Sequence, residues 1–287
     1  MISNIYNIYL EHPEICTDTR QISEACIFFA LKGPNFNANE YAFEALNKGA
    51  AFAIVDEDKY VLDKRFILVE DSLKCLQELA HFHRKKLHCP VIGITGTNGK
   101  TTSKELCYTV LSQKYRVTAT KGNLNNHIGV PLSILSISAD TEVAIIEMGA
   151  NHIGEIEFLC SIAEPTHGVI TNIGKAHLEG FGSVEGVIKT KTELYNFLSV
   201  KGNPIYIKDN QQILIDKLPL NCPTISYGQL DTSSYKIQSK GAQPFVKVCY
   251  DNSTIESKLI GEYNFDNIAL SIAIGLEFEV KIEQIKE

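Results

Sequence analysis

The stretch Pro90-Val-Ile-Gly-Ile-Thr-Gly-Thr-Asn-Gly-Lys-Thr-Thr-Ser103 constrains this chain more than any other. A short β-branched run leads into a turn carrying Gly96 and Gly99, and a helix follows over about 101–112. The two glycines let the backbone curl, so that the N–H groups of Gly96, Thr97, Asn98 and Gly99 can point at phosphate oxygens. Lys100 then reaches the β- and γ-phosphates, and the hydroxyl of Thr101 can take a Mg²⁺. The helix that starts there, with Thr101 and Thr102 in its first turn, offers its positive end to the same anion. Ile94 stands where the strict G-x-x-x-x-G-K-[ST] pattern has glycine, and Gly93 and Gly96 flank it, so this is a variant phosphate loop. The pattern predicts a nucleoside triphosphate site.

Composition narrows the setting of that site. A length of 287 residues predicts about two domains. A net charge of -7 excludes a general nucleic-acid binder, whose affinity rests on clustered Lys and Arg. The eight cysteines form no C-x-x-C pair and sit mostly among apolar neighbours, which predicts reduced thiols in a cytoplasmic protein. The amino terminus lacks a basic, then apolar, signal segment, and no apolar run is long enough for membrane insertion.

Residues 1–83 read as a small α/β domain, with strands at 27–31, 51–55 and 66–69 and helices at 40–48 and 72–83. The basic stretch His83–His88, closed by Pro90, reads as an exposed hinge. Over 84–277, strands at 91–95, 116–119, 143–147, 168–173 and 204–207 alternate with helices. That order predicts a mostly parallel sheet in an ATPase-like α/β domain. Residues 222–260 alternate polar and apolar side chains, which predicts antiparallel strands at an edge, and 261–277 returns to helix.

Ligands of open parallel sheets lie beyond the carboxyl ends of the strands. Glu147 ends the apolar run 143–146, where a carboxylate facing a nucleotide would hold Mg²⁺. His177 follows the next strand, and spacing alone assigns it nothing. Lys189 and Lys191 are two apart on a helical stretch, so only one of them can face the cleft.

Taken together, these segments resemble the Mur ligase family, ATP-dependent amide-forming enzymes of peptidoglycan assembly. The phosphate loop is similar to that family's ATP loop. Glu147–Glu155 and Thr171–Ser183 are similar to segments of the branch that adds D-alanyl-D-alanine to UDP-N-acetylmuramoyl-tripeptide. Asn123–Pro131 resembles the muramoyl-substrate loop, and Thr17–Arg20 with Ala30–Gly33 resembles the uridine-binding element. The resemblance implies catalytic roles for Lys100, Glu147, His177 and Lys191. It gives Thr101 and Glu147 to one Mg²⁺, and His177 with a carbamate on Lys191 to a second. Asn264 and Asn267 fall on the adenine side; Thr19, Arg20, Lys32, Asn125, Asn126, Asn151 and His152 fall to the UDP-muramoyl substrate. Tyr263 and Asn39 stand where the family commonly has His. The family continues into a third, carboxy-terminal domain, which residues 278–287 would begin. A piece of a longer, monomeric ligase is therefore expected, inactive by itself. Another ligase of the superfamily (an earlier muramyl ligase or a folylpolyglutamate type), a non-catalytic nucleotide-binding module and a small-molecule kinase are the competing readings.

Overall fold

The structure is a computed structural model and describes residues 1–174 and 178–287. It contains two compact units: Met1–His88 with His127–Ser138, and Cys89–Asn126 with Ala139–Glu287.

The first unit is built on a parallel sheet in the order Ile15–Cys16, Ile27–Phe29, Phe52–Val55, Phe66–Leu68. Ile27, Phe28 and Phe29 are all fully buried, as expected of a strand covered on both faces. The helix Ser72–Arg84 starts on Asp71, whose carboxylate accepts from the Lys74 N–H. Its buried residues Leu76, Leu79, Ala80 and His83 recur at helical spacing on one face. The short helix Gly129–Leu135, counted with the second domain on sequence, packs against Ser72–Arg84. Two polar contacts tie this segment down. Tyr9 Oη donates to the Leu135 carbonyl at 2.6 Å, and His83 Nε2 lies 2.8 Å from the Ile137 carbonyl. A carbonyl only accepts, so Nε2 carries the proton and Nδ1 is left to accept from Tyr6 Oη at 3.2 Å. His83 and Arg84 are thus buried in a helix rather than exposed in a hinge. Their burial depends on segments far away in sequence, which a run of basic residues does not report.

The second unit contains a seven-stranded, wholly parallel sheet. Its order is Tyr235–Lys236, Thr224–Gly228, Ile205–Lys208, His167–Ile170, Val91–Thr95, Val143–Glu147, Val117–Ala119. The phosphate-loop strand Val91–Thr95 is buried at every position. Helices Lys100–Leu111 and Phe265–Glu277 pack together over one face, in a core with Ile92, Ile94 and Cys107. Glu155–Ala163 and Val184–Ser199 pack together on the other, where Met148 and Leu194 press on Gly93.

The mostly parallel α/β architecture is present, but its antiparallel part differs from expectation. Thr224–Gly228 and Tyr235–Lys236 are the last two parallel strands at one end of the main sheet, with Tyr235–Lys236 at its edge. The antiparallel strands Gln238–Ser239, Lys247–Tyr250 and Ser253–Glu256 form a separate sheet. Alternation reports one exposed face, and an edge strand of a parallel sheet shares that property. Asp251 and Asn252, both at positive φ, make the two-residue hairpin between Tyr250 and Ser253.

Candidate active site

Gly96 has φ 144° and Gly99 has φ 79°, backbone that an L side chain rarely adopts. A Cβ on Gly96 would collide with Thr171 Oγ1, and one on Gly99 would come within 2.6 Å of Asn267 Oδ1. The loop is clamped by the segment after the strand His167–Ile170. The N–H groups of Thr97 and Asn98 donate to Asn172 O and Oδ1, both at 3.0 Å. Thr171 Oγ1 and Asn172 Nδ2 donate back to the Asn98 carbonyl at 2.6 and 2.9 Å. Sequence reasoning assigns Thr171 and Asn172 no individual role, since a clamp across two strands leaves no local pattern.

Lys100 is half-buried, and its Nζ folds back onto the carbonyls of Gly96 and Thr97 at 3.0 and 3.2 Å. Burial lowers its pKa, and the negative charge of Glu147 opposes that shift. Thr101 is exposed and Thr102 half-buried in the first turn of the helix. Glu147 lies at the carboxyl end of the neighbouring strand and is 1% exposed. Its Oε1 accepts from Asn125 Nδ2 at 2.7 Å, and its N–H donates to Thr120 Oγ1 at 3.1 Å. Among the described residues its Oε2 is buried without a partner. The unpartnered carboxylate oxygen and the helix-start hydroxyl are both hard oxygen donors, the kind that suits Mg²⁺.

The helix Val184–Ser199 separates the two lysines: Lys191 is buried, whereas Lys189 is exposed at its surface. Among the described residues Lys191 Nζ has no hydrogen bond or ion pair, and it faces the Phe181 ring at 5.6 Å. Burial, reinforced by the positive charge of Lys100 and opposed by Glu155 and Glu193, brings its pKa down to about 8. Glu193, two residues on, caps the facing helix: its carboxylate accepts from the N–H groups of Gly154 at 2.8 Å and Glu157 at 3.0 Å. Sequence reasoning gives Glu193 no role. His177 lies outside the described residues.

The remaining expected residues fall in three places. Asn151 and His152 are exposed, and their N–H groups donate to Glu155 Oε2 at 2.6 and 3.0 Å. Asn126 is exposed on the segment that carries Asn125. Asn264 and Asn267 are buried against the phosphate-loop helix. Ser103 Oγ donates to Asn267 Oδ1, and Asn267 Nδ2 to Asn264 Oδ1, each at 3.0 Å. A cavity of about 180 Å³ opens at the start of their helix, lined by Lys208, Asp209, Gln229, Glu262, Phe265 and Asp266. Lys208 and Asp266 pair across it at 2.6 Å, a polar wall that sequence reasoning missed.

Thr19, Arg20 and Lys32 lie in the first unit. Asp18 accepts from Arg20 through both Nε and Nη2, at 2.9 and 2.6 Å, which leaves that guanidinium in solvent. Lys32 pairs with Asp56 at 3.2 Å. Asn39 is fully buried, and its side chain binds Asp56 twice, at 2.8 and 3.0 Å, so here it is a structural clasp.

A glycine-rich loop between a central parallel strand and a helix, with an acidic residue ending the next strand, defines a phosphate-loop α/β nucleotide-binding protein. Residues 94–275 match the Mur ligase middle domain, and the chain belongs to the Mur ligase family. It is similar to the UDP-N-acetylmuramoyl-tripeptide–D-alanyl-D-alanine ligase of Bacillus subtilis, 36% identical over 94% of this chain and 59% of that protein. The enzyme of the same description from Escherichia coli is 32% identical over 95% of this chain and 62% of its own length. A Thermotoga maritima MurF ligase structure in complex with ADP superposes with a TM-score of 0.81 at 30% identity, covering 96% of this chain and 65% of that one. A structure of MurF from Acinetobacter baumannii gives 0.80 at 28% identity, covering 95% and 61%. The chain thus spans about 60% of the length of the curated relatives it matches. Among the described residues, no helix is long and apolar enough to cross a membrane.

Proposed function

We propose that this chain carries the nucleotide and muramoyl-donor sites of an ATP-dependent ligase. The ligase joins D-alanyl-D-alanine to UDP-N-acetylmuramoyl-tripeptide. The observation that carries the reading is the pairing of a phosphate loop with the buried, half-satisfied carboxylate of Glu147, which the substrate-loop residue Asn125 holds. Family membership and the substrates named for the similar enzymes support the choice of reaction.

A carboxylate at neutral pH is a poor electrophile, so the peptide carboxylate oxygen first attacks the γ-phosphorus of ATP. The bond to the β-γ bridging oxygen breaks and ADP leaves. The amine of D-alanyl-D-alanine then adds to the acyl carbon; phosphate departs with its electron pair, and the new amide loses a proton. The N–H groups of Thr97 and Asn98, expected to face phosphate, are taken up by Asn172, so Lys100 and the positive end of the helix Lys100–Leu111 neutralise charge on the transferring phosphoryl group. Thr101 and Glu147 would hold one Mg²⁺, and His177 with carbamylated Lys191 a second, supplying further positive charge at the phosphoryl oxygens. Lys191 suits that modification because a pKa of about 8 leaves part of the amine neutral and nucleophilic toward CO₂. An anionic oxygen ligand then replaces a repelling ammonium.

The test is a substrate panel. The natural full-length protein, given ATP, Mg²⁺ and UDP-muramoyl-tripeptide, should form amide with D-alanyl-D-alanine and not with single amino acids. Preference for a single amino acid would place it on another branch of the family, and ATP cleavage that depends on neither substrate would remove the ligase reading.

A further inference from the structure

Lys104 carries a buried charge on the phosphate-loop helix. Its side chain is fully buried, one turn beyond Lys100 on the same helix. Nζ donates to the carbonyls of Thr120 at 2.7 Å and Gly122 at 3.1 Å, and pairs with Glu105 at 2.8 Å. A buried ammonium is costly, and an apolar side chain of similar length is often as stable in such a place. What those contacts hold is therefore the informative point. Thr120, 1% exposed, accepts through Oγ1 from the N–H of Glu147 at 3.1 Å. Five residues on, Asn125 closes the loop: its Nδ2 donates to Glu147 Oε1, and its carbonyl accepts from the Gly149 N–H, both at 2.7 Å. The loop 120–125 is thus pinned by Lys104 at one end and by Glu147 and Gly149 at the other.

We propose that Lys104 is a positioning residue that fixes the loop 120–125 to the phosphate-loop helix and, through Thr120 and Asn125, sets the place of the Glu147 carboxylate. Resting on the reading of Glu147 as a Mg²⁺ ligand, Lys104 thereby couples cation binding to the helix that carries Lys100 and Thr101, while touching neither cation nor nucleotide itself.

The experiment compares the 287-residue chain with Lys104→Met, Thr120→Val, Thr120→Ser and Glu147→Gln. Without metal, amide exchange at Glu147 and Gly149 should quicken roughly ten-fold or more in Lys104→Met and Thr120→Val, the order of one lost hydrogen bond. Thr120→Ser, which keeps the hydroxyl, should stay near the parent rate, and the strand Ile205–Lys208 should not change in any variant. In ADP titrations the same two variants should lose Mg²⁺ affinity while ADP binding in EDTA is unchanged. Unaltered exchange at Glu147 and Gly149, or equal quickening across the whole sheet, overturns the proposal. If Lys104→Met does not fold, Lys104→Gln, whose shorter side chain falls short of the Thr120 and Gly122 carbonyls, takes its place, and parental exchange at Glu147 and Gly149 there overturns the proposal. A Glu147→Gln chain with parental Mg²⁺ affinity would overturn the metal reading and the coupling with it. Loss there, with parental behaviour in Lys104→Met, would overturn the Lys104 role alone.

Discussion

Asn125 donates from Nδ2 to Oε1 of Glu147 at 2.7 Å, leaving Oε2 of the same buried carboxylate without a partner among the described residues. The Asn125 amide therefore fixes the rotamer of the acidic group that ends the strand beside the phosphate loop. The other oxygen is held in place but not neutralised.

Replacing that amide by a second carboxylate tests the arrangement. Asn125→Asp would set two acids within hydrogen-bond distance, and like charges that close resist joint ionisation. The variant should be less stable than the parent at pH 8 by about 1–3 kcal/mol, the range for a buried polar group losing its partner. The deficit should shrink as pH falls and the pair takes up a proton. Denaturant unfolding at pH 8 and pH 5 measures it; a deficit that grows on acidification would contradict the like-charge account.

Lys100→Ala should leave the melting temperature near the parent value and weaken Mg-ATP binding by roughly ten- to a hundred-fold, the range for losing a charge-assisted contact. Gly96→Ala should abolish binding more completely. Its Cβ would collide with Thr171 Oγ1, and its φ of 144° is strained for alanine. Calorimetric titration reads both, and undiminished binding in either would refute the phosphate-loop assignment.

Lys191 has a folded-state pKa of about 8, below the ordinary lysine value of 10.5, so between those values the unfolded chain holds more protons than the folded one. Its contribution to stability therefore rises with pH across that window and is lost as pH falls through it, by about 3 kcal/mol in total. Lys191→Met should remove this slope and be more stable than the parent at pH 7 without bicarbonate, whereas Lys189→Met should change neither. Unfolding free energies at pH 7 and pH 10 decide it. With ¹³C-bicarbonate, a carbamate resonance should appear in the parent and vanish in Lys191→Met only.

Burial lowers the pKa of His83, which stays neutral between Tyr6 and the Ile137 carbonyl. The unfolded chain therefore takes the proton first as the solution is acidified. Stability should fall below the unfolded value near 6.5, with a slope of up to about 1.4 kcal/mol per pH unit. His83→Gln should flatten that slope while lowering stability at pH 8. Equal slopes for parent and variant between pH 6.5 and 5 would show that another group carries the acid sensitivity.

The central strands were legible because their signal is local. Val91–Thr95 and Val143–Glu147 are continuous apolar runs, and such runs belong to strands covered on both faces. The edge was misread because a burial pattern names no partner: the outermost strand Tyr235–Lys236 has one half-buried residue and one exposed one, as an antiparallel edge strand also would, yet it pairs parallel with Thr224–Gly228.

By itself the sequence determined the turn at Gly96 and Gly99, the lysine and hydroxyl that follow it, and the alternation of strand and helix that makes a parallel sheet. Each of these depends on backbone freedom or periodicity within a few residues. Tertiary structure alone decided that Lys191 is more deeply buried than Lys189, that His83 sits inside the first unit, and that Asn125 and Thr120 grip Glu147 from a different strand end. It also decided that the helix Gly129–Leu135 joins the first unit. Burial and the choice of hydrogen-bond partner are set by chain segments far apart in sequence, and a polar side chain carries no local mark of which distant group will satisfy it.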